Sequence, residues 1–482
     1  FILSIKLNIA HSSHILPQLN LYASILVMAK ICEITGKGSI NGGTYSNRTR
    51  ATQFNPGGKR RRYVNLQKKR VFVPELNQTV TLTISAKAIK TIKTQLCRPS
   101  QMKYPQTKKI DHVDNYHGTQ VADPYRWLED DNSEETKAWV KAQNEVSFGY
   151  LNQIPLRDEF KKRIEALSNY EKISAPSRKG EWYYFYKNSG LQNQSVLYRQ
   201  KGLNGKPEFV IDPNTLSKEG TTRLTVFSLD KTGKYACVGL SLSGSDWQTY
   251  YVRDMETGKN LADELSWVKV SGVAWKGNGF YYSRYPEPGK GKELSTKNEN
   301  HQVWFHTVGT PQSQDQLIYE DPKNPQRFHT VSTSDDERFA FLTISDRGKG
   351  LDGNALWIMD AAKKETKFKP IVAEPGKFDF SIVDNDGDIL ILETNDGAPN
   401  KKIVRVDPAH PEKANWKTIV AEKPEPLQGV NTVGKRLFLN YLKDVTSRVS
   451  IYDYSGKALG TVSLPGLGNA GGFGGEKEDK FT

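Results

Sequence analysis

The chain has 482 residues, of which 37% are hydrophobic and 10% aromatic, and a formal net charge of +14. Its three cysteines, Cys32, Cys97 and Cys237, are odd in number and far apart. That excludes a disulfide framework or a paired-cysteine zinc site, and it fits a reducing compartment. The charge is unevenly placed: residues 1–103 hold 17 Lys and Arg against only Glu33 and Glu75, and the rest of the chain holds 51 of the 68 basic and 52 of the 54 acidic residues. A split of that size marks a polyanion-binding arm ahead of a near-neutral soluble part.

Residues 1–27 are apolar in patches but interrupted by His11, Ser12, Ser13, His14, Gln18 and Asn20, too broken to span a bilayer. With no Met at position 1, no compact apolar core and no cleavage-site pattern, they read as translated upstream sequence, with the natural start at Met28.

Residues 28–100 form a basic module. Gly and Asn are dense up to Gly58, then come Lys59-Arg60-Arg61-Arg62 and Lys68-Lys69-Arg70. Strand-like runs at 70–74 and 79–85 flank a turn at 75–78, and 86–92 has the spacing of a short helix. Seven cations between positions 59 and 70 repel one another unless a polyanion supplies the counter-charge. Tyr63 and Phe72 offer planes on which unpaired bases stack. The plainer reading is a solvated basic loop or localisation-like patch. The opening C-E-I-T-G-K-G, the K-R-R-R-Y-V-N-L-Q cluster and the closing T-L-T-I-S-A-K-A-I-K-T-I resemble the bacterial large-subunit ribosomal protein L28 family over residues 28–92. The resemblance implies a small α+β module whose partner is ribosomal RNA. The cations that match are Arg48, Arg50, Lys59, Arg60, Arg61, Arg62, Lys68, Lys69 and Arg70.

Beyond residue 103 the texture changes. Residues 104–175 are predicted helical in character, with Pro124 opening 125–128, Ser133-Glu134-Glu135-Thr136 capping a helix that carries Trp139, Val140, Val146 and Phe148, and a further helix at 157–167. From about residue 181, short aromatic and β-branched strands alternate with Ser/Asp/Gly turns in units of about 45–55 residues, the period of a β-propeller blade. Six units fall near 182–213, 224–262, 271–321, 330–374, 378–422 and 427–464, with the start of a seventh. The predicted fold is therefore mainly β: an incomplete seven-bladed propeller over 176–482, preceded by a helical segment and the basic module.

Weaker motifs are set aside. Gly466, Gly468 and Gly471 fit a dinucleotide pattern but follow Pro465 with no helix after them. Asp384–Asp388 has calcium-like spacing, but Gly387 is at the wrong offset and no Glu closes the loop, so a hairpin turn is expected. Trp247, Trp275, Trp304 and Trp357 are expected to pack between blades. No metal or cofactor site is predicted.

The words A-D-P-Y-R-W-L-E-D at 122–130, G-L-Q-N-Q-S-V-L-Y at 190–198, D-P-N-T-L-S at 212–217 and S-G-S-D-W at 243–247 resemble the N-terminal half of the prolyl oligopeptidase family, from Tyr104 to the end. The resemblance implies a propeller paired with an α/β-hydrolase domain, serine-type cleavage of short proline-containing peptides, and a propeller that gates substrate. The chain contains no G-x-S-x-G nucleophile elbow, and its eight histidines follow no Ser-then-Asp order. The hydrolase domain is thus expected to be a missing partner, leaving the chain without a catalytic residue, inactive alone, and with an unpaired blade edge that invites aggregation. Three readings stand side by side: a truncated peptidase behind an RNA-binding module, a large-subunit ribosomal constituent with the propeller as passenger, and a propeller acting as an interaction scaffold with ribosomal RNA or another polyanion as partner. Each fits a cytoplasmic protein without membrane contact.

Overall fold

The computed structural model describes residues 103–479 except positions 131, 132, 155, 290–292, 294, 295, 347 and 349. Ahead of these it describes 40–46, 55–62, 64–73, 78–86, 88 and 89, with side chains only at 64–70, 81–86, 88 and 89. The described part falls into two compact units, 1–170 and 171–482.

In the first unit, β1 (Ile40–Ser46) pairs antiparallel with β2 (Asn55–Arg62), and β3 (Leu66–Val73) with β4 (Gln78–Ser85). The second pair begins four residues earlier than the β-propensity of 70–74 suggests, so Lys68 and Lys69 lie within a strand. A short hairpin, β5 (Val113–Tyr116) and β6 (Thr119–Ala122), precedes a single 3₁₀ turn at Arg126–Glu129.

Helix α1 (Glu134–Leu151) starts at the predicted cap: the Ser133 hydroxyl accepts from the Thr136 N–H at 3.1 Å, satisfying an amide that has no partner within the helix. The extended segment before it lies along α1, with Trp139 Nε1 donating to Thr107 Oγ1 at 3.1 Å and Lys108 paired with Glu135 at 2.8 Å. Helix α2 (Arg157–Ser168) presents Phe160, Ile164 and Leu167 at helical spacing. These meet Leu82 and Ile84 of β4, with Ala88, Ile89 and Leu66 around them. The apolar stripe of α2 is therefore covered by the basic module's second hairpin.

The second unit is built from consecutive antiparallel sheets. Blade one comprises strands between Lys172 and Ile211, and blade two runs from Arg223 to Val268. Blade three spans Ala274–Tyr319, blade four Arg327–Val372, blade five Phe380–Val420 and blade six Leu427–Thr461. Blades two and three merge into one eight-stranded sheet through the pairing of Val268 with Arg284.

Strand alternation sends every second side chain to one face, and each face finds the next blade. Tyr184, Leu197 and Val210 of blade one pack on Ala236 and Val238 of blade two. Cys237, Tyr250 and Leu265 meet Trp275, Phe280 and Tyr282 of blade three. The same pattern repeats for blades three and four, four and five, and five and six. The outer face of blade six is covered by the segment after it, where Phe473 stacks on Phe438 at 5.7 Å. The open face of blade one leaves Phe209 59% and Ile173 58% exposed beside a cavity of about 340 Å³ lined by Phe185, Tyr198 and Pro176.

Candidate functional site

The basic hairpin is the first candidate. In an antiparallel pair, residues opposite one another share a face. Lys68 faces Thr83 and Arg70 faces Thr81, whereas Lys69 faces Leu82, whose side chain is fully buried toward α2. Lys68 and Arg70 thus stand on the sheet face opposite the apolar one, and all three cations are exposed. Lys59, Arg60, Arg61 and Arg62 occupy successive positions of β2, in register with Gly43, Gly42, Asn41 and Ile40. Arg48 and Arg50 lie outside the described residues, as do Cys32, Cys97 and Tyr63. The third cysteine, Cys237, is wholly buried, and burial pushes its thiol far up, away from the reactive thiolate.

Three of the second unit's four histidines, His301, His306 and His329, are buried and structural, and His410 is exposed. His301 Nε2 meets the Lys269 carbonyl at 3.0 Å and its Nδ1 accepts from the His329 N–H at 2.9 Å. Burial pulls His301 down to about 4, so it is neutral at physiological pH. His329 Nδ1 meets the His301 carbonyl at 2.7 Å, and burial lowers this ring as well. His306 lies between Asp263 and Asp315. Among the described residues, no histidine ring hydrogen-bonds a hydroxyl or thiol, so none is poised to activate a nucleophile. No group of three or more His, Cys, Asp and Glu among them is placed to hold a metal ion, and no helix is long and apolar enough to cross a membrane.

The second candidate is the end of the propeller where the first and second strands of each blade turn. The turn of blade five is a tight hairpin in which Gly387 takes φ 61°, a left-handed conformation that only glycine adopts without strain. Its flank is not simply solvated. Asp384 is buried, accepts from the Tyr454 hydroxyl and pairs with Lys477 Nζ at 2.9 Å. The Lys477 ammonium also reaches Asn385 and stands 3.8 Å from Asp336 of blade four, while the Lys477 N–H donates to Asp335 at 3.1 Å.

The neighbouring residues of that segment go elsewhere. Glu476 pairs with Lys179 at 2.6 Å and Asp479 with Arg178 at 3.1 Å, both on blade one, and the Gly434 N–H of blade six donates to the Glu476 carbonyl. Lys231 of blade two donates to the Asp335 carbonyl at 2.7 Å. Residues 476–479 therefore touch the turns of blades one, four, five and six and tie them together at this end.

Sequence reasoning placed the hairpin turn at 384–388 but not its buried ion pair. The signal for it was two acid-rich turns, Ser334-Asp335-Asp336-Glu337 and Asp384–Asp388, in equivalent blade positions. The tryptophans pack as expected. Trp275 is buried with its Nε1 on the Ser228 carbonyl, Trp357 donates to the Ala373 carbonyl, Trp304 lies in the interface of blades two and three, and Trp247 meets Trp267 edge-on. Gly466, Gly468 and Gly471 sit in a turn region without a helix.

Comparison with known proteins places both parts. The model of the ribosomal L28 family matches residues 30–95, and that of the prolyl oligopeptidase N-terminal beta-propeller domain matches 105–482. A prolyl endopeptidase of Elizabethkingia meningoseptica is 46% identical over 382 residues, covering 79% of this chain and 53% of its own length. Prolyl oligopeptidase A of Amanita bisporigera is 34% identical, covering 74% of this chain and 51% of its own length. Among solved structures, one from a study of two prolyl endopeptidases and their inter-domain dynamics has 36% identity and a TM-score of 0.58, covering 78% of this chain and 54% of its own. Prolyl oligopeptidase B from Galerina marginata, bound to a 35mer hydrolysis and macrocyclization substrate, has 27% identity and a TM-score of 0.66, covering 78% and 56%. The chain spans about half the length of the curated relatives it matches. With a six-bladed array continuous with this match over more than three quarters of its residues, the chain belongs to the prolyl oligopeptidase family through its N-terminal β-propeller.

Proposed function

We propose that residues 104–482 are the substrate-gating part of a prolyl oligopeptidase, a cytoplasmic serine-type endopeptidase acting on short proline-containing peptides, and that its catalytic groups lie outside these residues. The observation that carries the reading is the conjunction of the family match with histidines engaged only by carboxylates and backbone groups. The propeller's part is access, and the segment 476–479, which ties the turns of blades one, four, five and six, is the element of this end placed to limit it. In front of it, residues 28–92 act as an L28-like module binding ribosomal RNA through Arg48, Arg50, Lys59–Arg62, Lys68, Lys69 and Arg70. The open sheet face carrying Lys68 and Arg70 supports that second role, and on it rests the alternative of a large-subunit ribosomal constituent carrying the propeller as passenger.

The test is hydrolysis of a chromogenic Gly-Pro substrate by the purified full chain. No turnover above the uncatalysed rate is expected. Proline-specific turnover that survives further purification would show that the catalytic groups are already present, and would overturn the reading.

A further inference from the structure

The interface of blades two and three encloses an ionic cluster with no access to water. His306, on the third strand of blade three, places Nδ1 2.7 Å from Asp315 Oδ1 and Nε2 2.9 Å from Asp263 Oδ1. The side chains of all three are between 0% and 1% exposed. Asp263 lies on the outer strand of blade two, Asn260–Val268, and Asp315 immediately precedes the outer strand of blade three. An ionised carboxylate only accepts hydrogen bonds, so a ring nitrogen facing one carries a proton. With both nitrogens so placed, the geometry suits an imidazolium that links two blades.

The other groups facing the cluster add no second cation. Tyr282, on the second strand of blade three, donates its hydroxyl to Asp315 Oδ2 at 2.6 Å, and burial with the adjacent Asp315 pushes that phenol far up. The Gly309 N–H donates to Asp263 Oδ1 at 2.6 Å. Gln312 donates to Tyr282 Oη and to the Ser266 carbonyl, each at 3.1 Å, stitching the 309–315 loop onto blade two. Phe280 covers the ring at 5.3 Å. Asp263 Oδ2 is buried with no partner. The nearby Arg284 guanidinium stacks on Trp304 at 4.2 Å and pairs with neither carboxylate. His306 is thus the only cation paired with Asp263 and Asp315 among the described residues.

Removing its proton leaves two buried carboxylates facing one another across a neutral ring. Breaking a buried pair from one side costs far more than an exposed one, because the remaining charge has no water to turn to. We propose that His306, held as an imidazolium between Asp263 and Asp315, is a pH-set clip that fastens blade two to blade three and releases them as the medium turns alkaline.

Burial alone lowers the His306 ring, but the bonds to Asp315 and Asp263 outweigh it and the net shift is upward. A group raised on folding lends stability that is complete below its unfolded value, about 6.5, and is lost as pH rises through the folded value. In that window the opening equilibrium of the interface grows by about tenfold per pH unit, then levels off.

The experiment uses the full chain with ¹⁵N-labelled histidine. At pH 7 the His306 ring should show two imidazolium-type nitrogens and titrate above 6.5. Amide exchange in 260–268 and 302–319, corrected for intrinsic base catalysis, should accelerate over the same range. Asp263→Asn removes one acceptor charge and should move the midpoint down toward the ordinary histidine value while the protein stays folded at pH 6. A bare ring nitrogen at pH 7 in the wild type, which needs no variant to fold, would overturn the proposal. So would an unmoved midpoint in Asp263→Asn.

Discussion

The two units of this chain are stabilised in opposite ways. The propeller unit buries a continuous series of large side chains, with Phe280, Phe341, Leu342, Leu390 and Leu392 essentially without solvent contact, and each blade's face is completed by the next. The first unit, in its described part, gathers its apolar core at one point, where Leu82, Ile84 and Ala88 meet Ile164. Along α1, Val140 remains 43% and Phe148 51% exposed. The difference shows what a charged surface does and does not do. The basic module's described apolar contact is a small one on α2, and the cations described beside it, Lys68, Lys69 and Arg70, are exposed. In the propeller some charges, those of His306 and Arg327 among them, are instead drawn into buried pairs.

The largest effects should separate the two units. Phe280→Ala, at the interface of blades two and three, is expected to lower the propeller's stability by about 3–5 kcal/mol in urea unfolding followed by tryptophan fluorescence. Ile164→Ala should cost the first unit about 2–4 kcal/mol and leave the propeller transition where it was. A propeller transition shifted equally by both substitutions would mean that the units unfold as one.

A somewhat smaller effect probes the internal pairs. Arg327 is nearly buried and holds Asp346 at 3.2 Å, Asp321 at 3.3 Å and Glu374 at 2.6 Å. Arg327→Ala strands the buried Asp346 and should cost about 3 kcal/mol. Arg327→Lys should recover only part of this, because an ammonium lacks the planar fork that reaches three acids.

The smallest effect on stability belongs to the basic hairpin. Replacing Lys68, Lys69 and Arg70 together by alanine should change unfolding by no more than about 0.5 kcal/mol, since all three are exposed. The same variant should make the log–log salt dependence of ribosomal RNA binding shallower by about 2. An unchanged slope would remove these three cations from the RNA contact.

Much of this fold is legible in local sequence because local chemistry determines it. Ser133 caps α1 as its spacing with Thr136 predicts, and Phe160, Ile164 and Leu167 define the buried stripe of α2. The blades show in the sequence because each is a meander of short hairpins, with partners only a few residues apart. Three features escaped. Strand β1 runs through a Gly- and Asn-rich stretch whose intrinsic preference argues against it, so pairing with β2 decides its state. The His306 cluster joins residues 43 and nine positions apart, in stretches whose sequences look merely polar at those sites. The Lys477 contacts link residues 92 and 142 positions apart. Asp384 and Lys477, side chains of the kind that fill solvated turns, are instead nearly buried, because the turns of blades four and five meet the segment 476–479.

The segment 476–479 bears on the order in which the propeller can assemble. Its contacts with Lys179 and Arg178 span 297 and 301 residues. Drawn together from an unfolded chain, ends that far apart cost about 5 kcal/mol in loop-closure entropy. Two partly exposed ion pairs, each worth about 1 kcal/mol or less, cannot meet that cost. They can form only once the blades have stacked in succession and carried both ends into reach. The ring's seam is therefore the last part of the propeller to form in folding, and the Lys179–Glu476 and Arg178–Asp479 pairs report that assembly has finished.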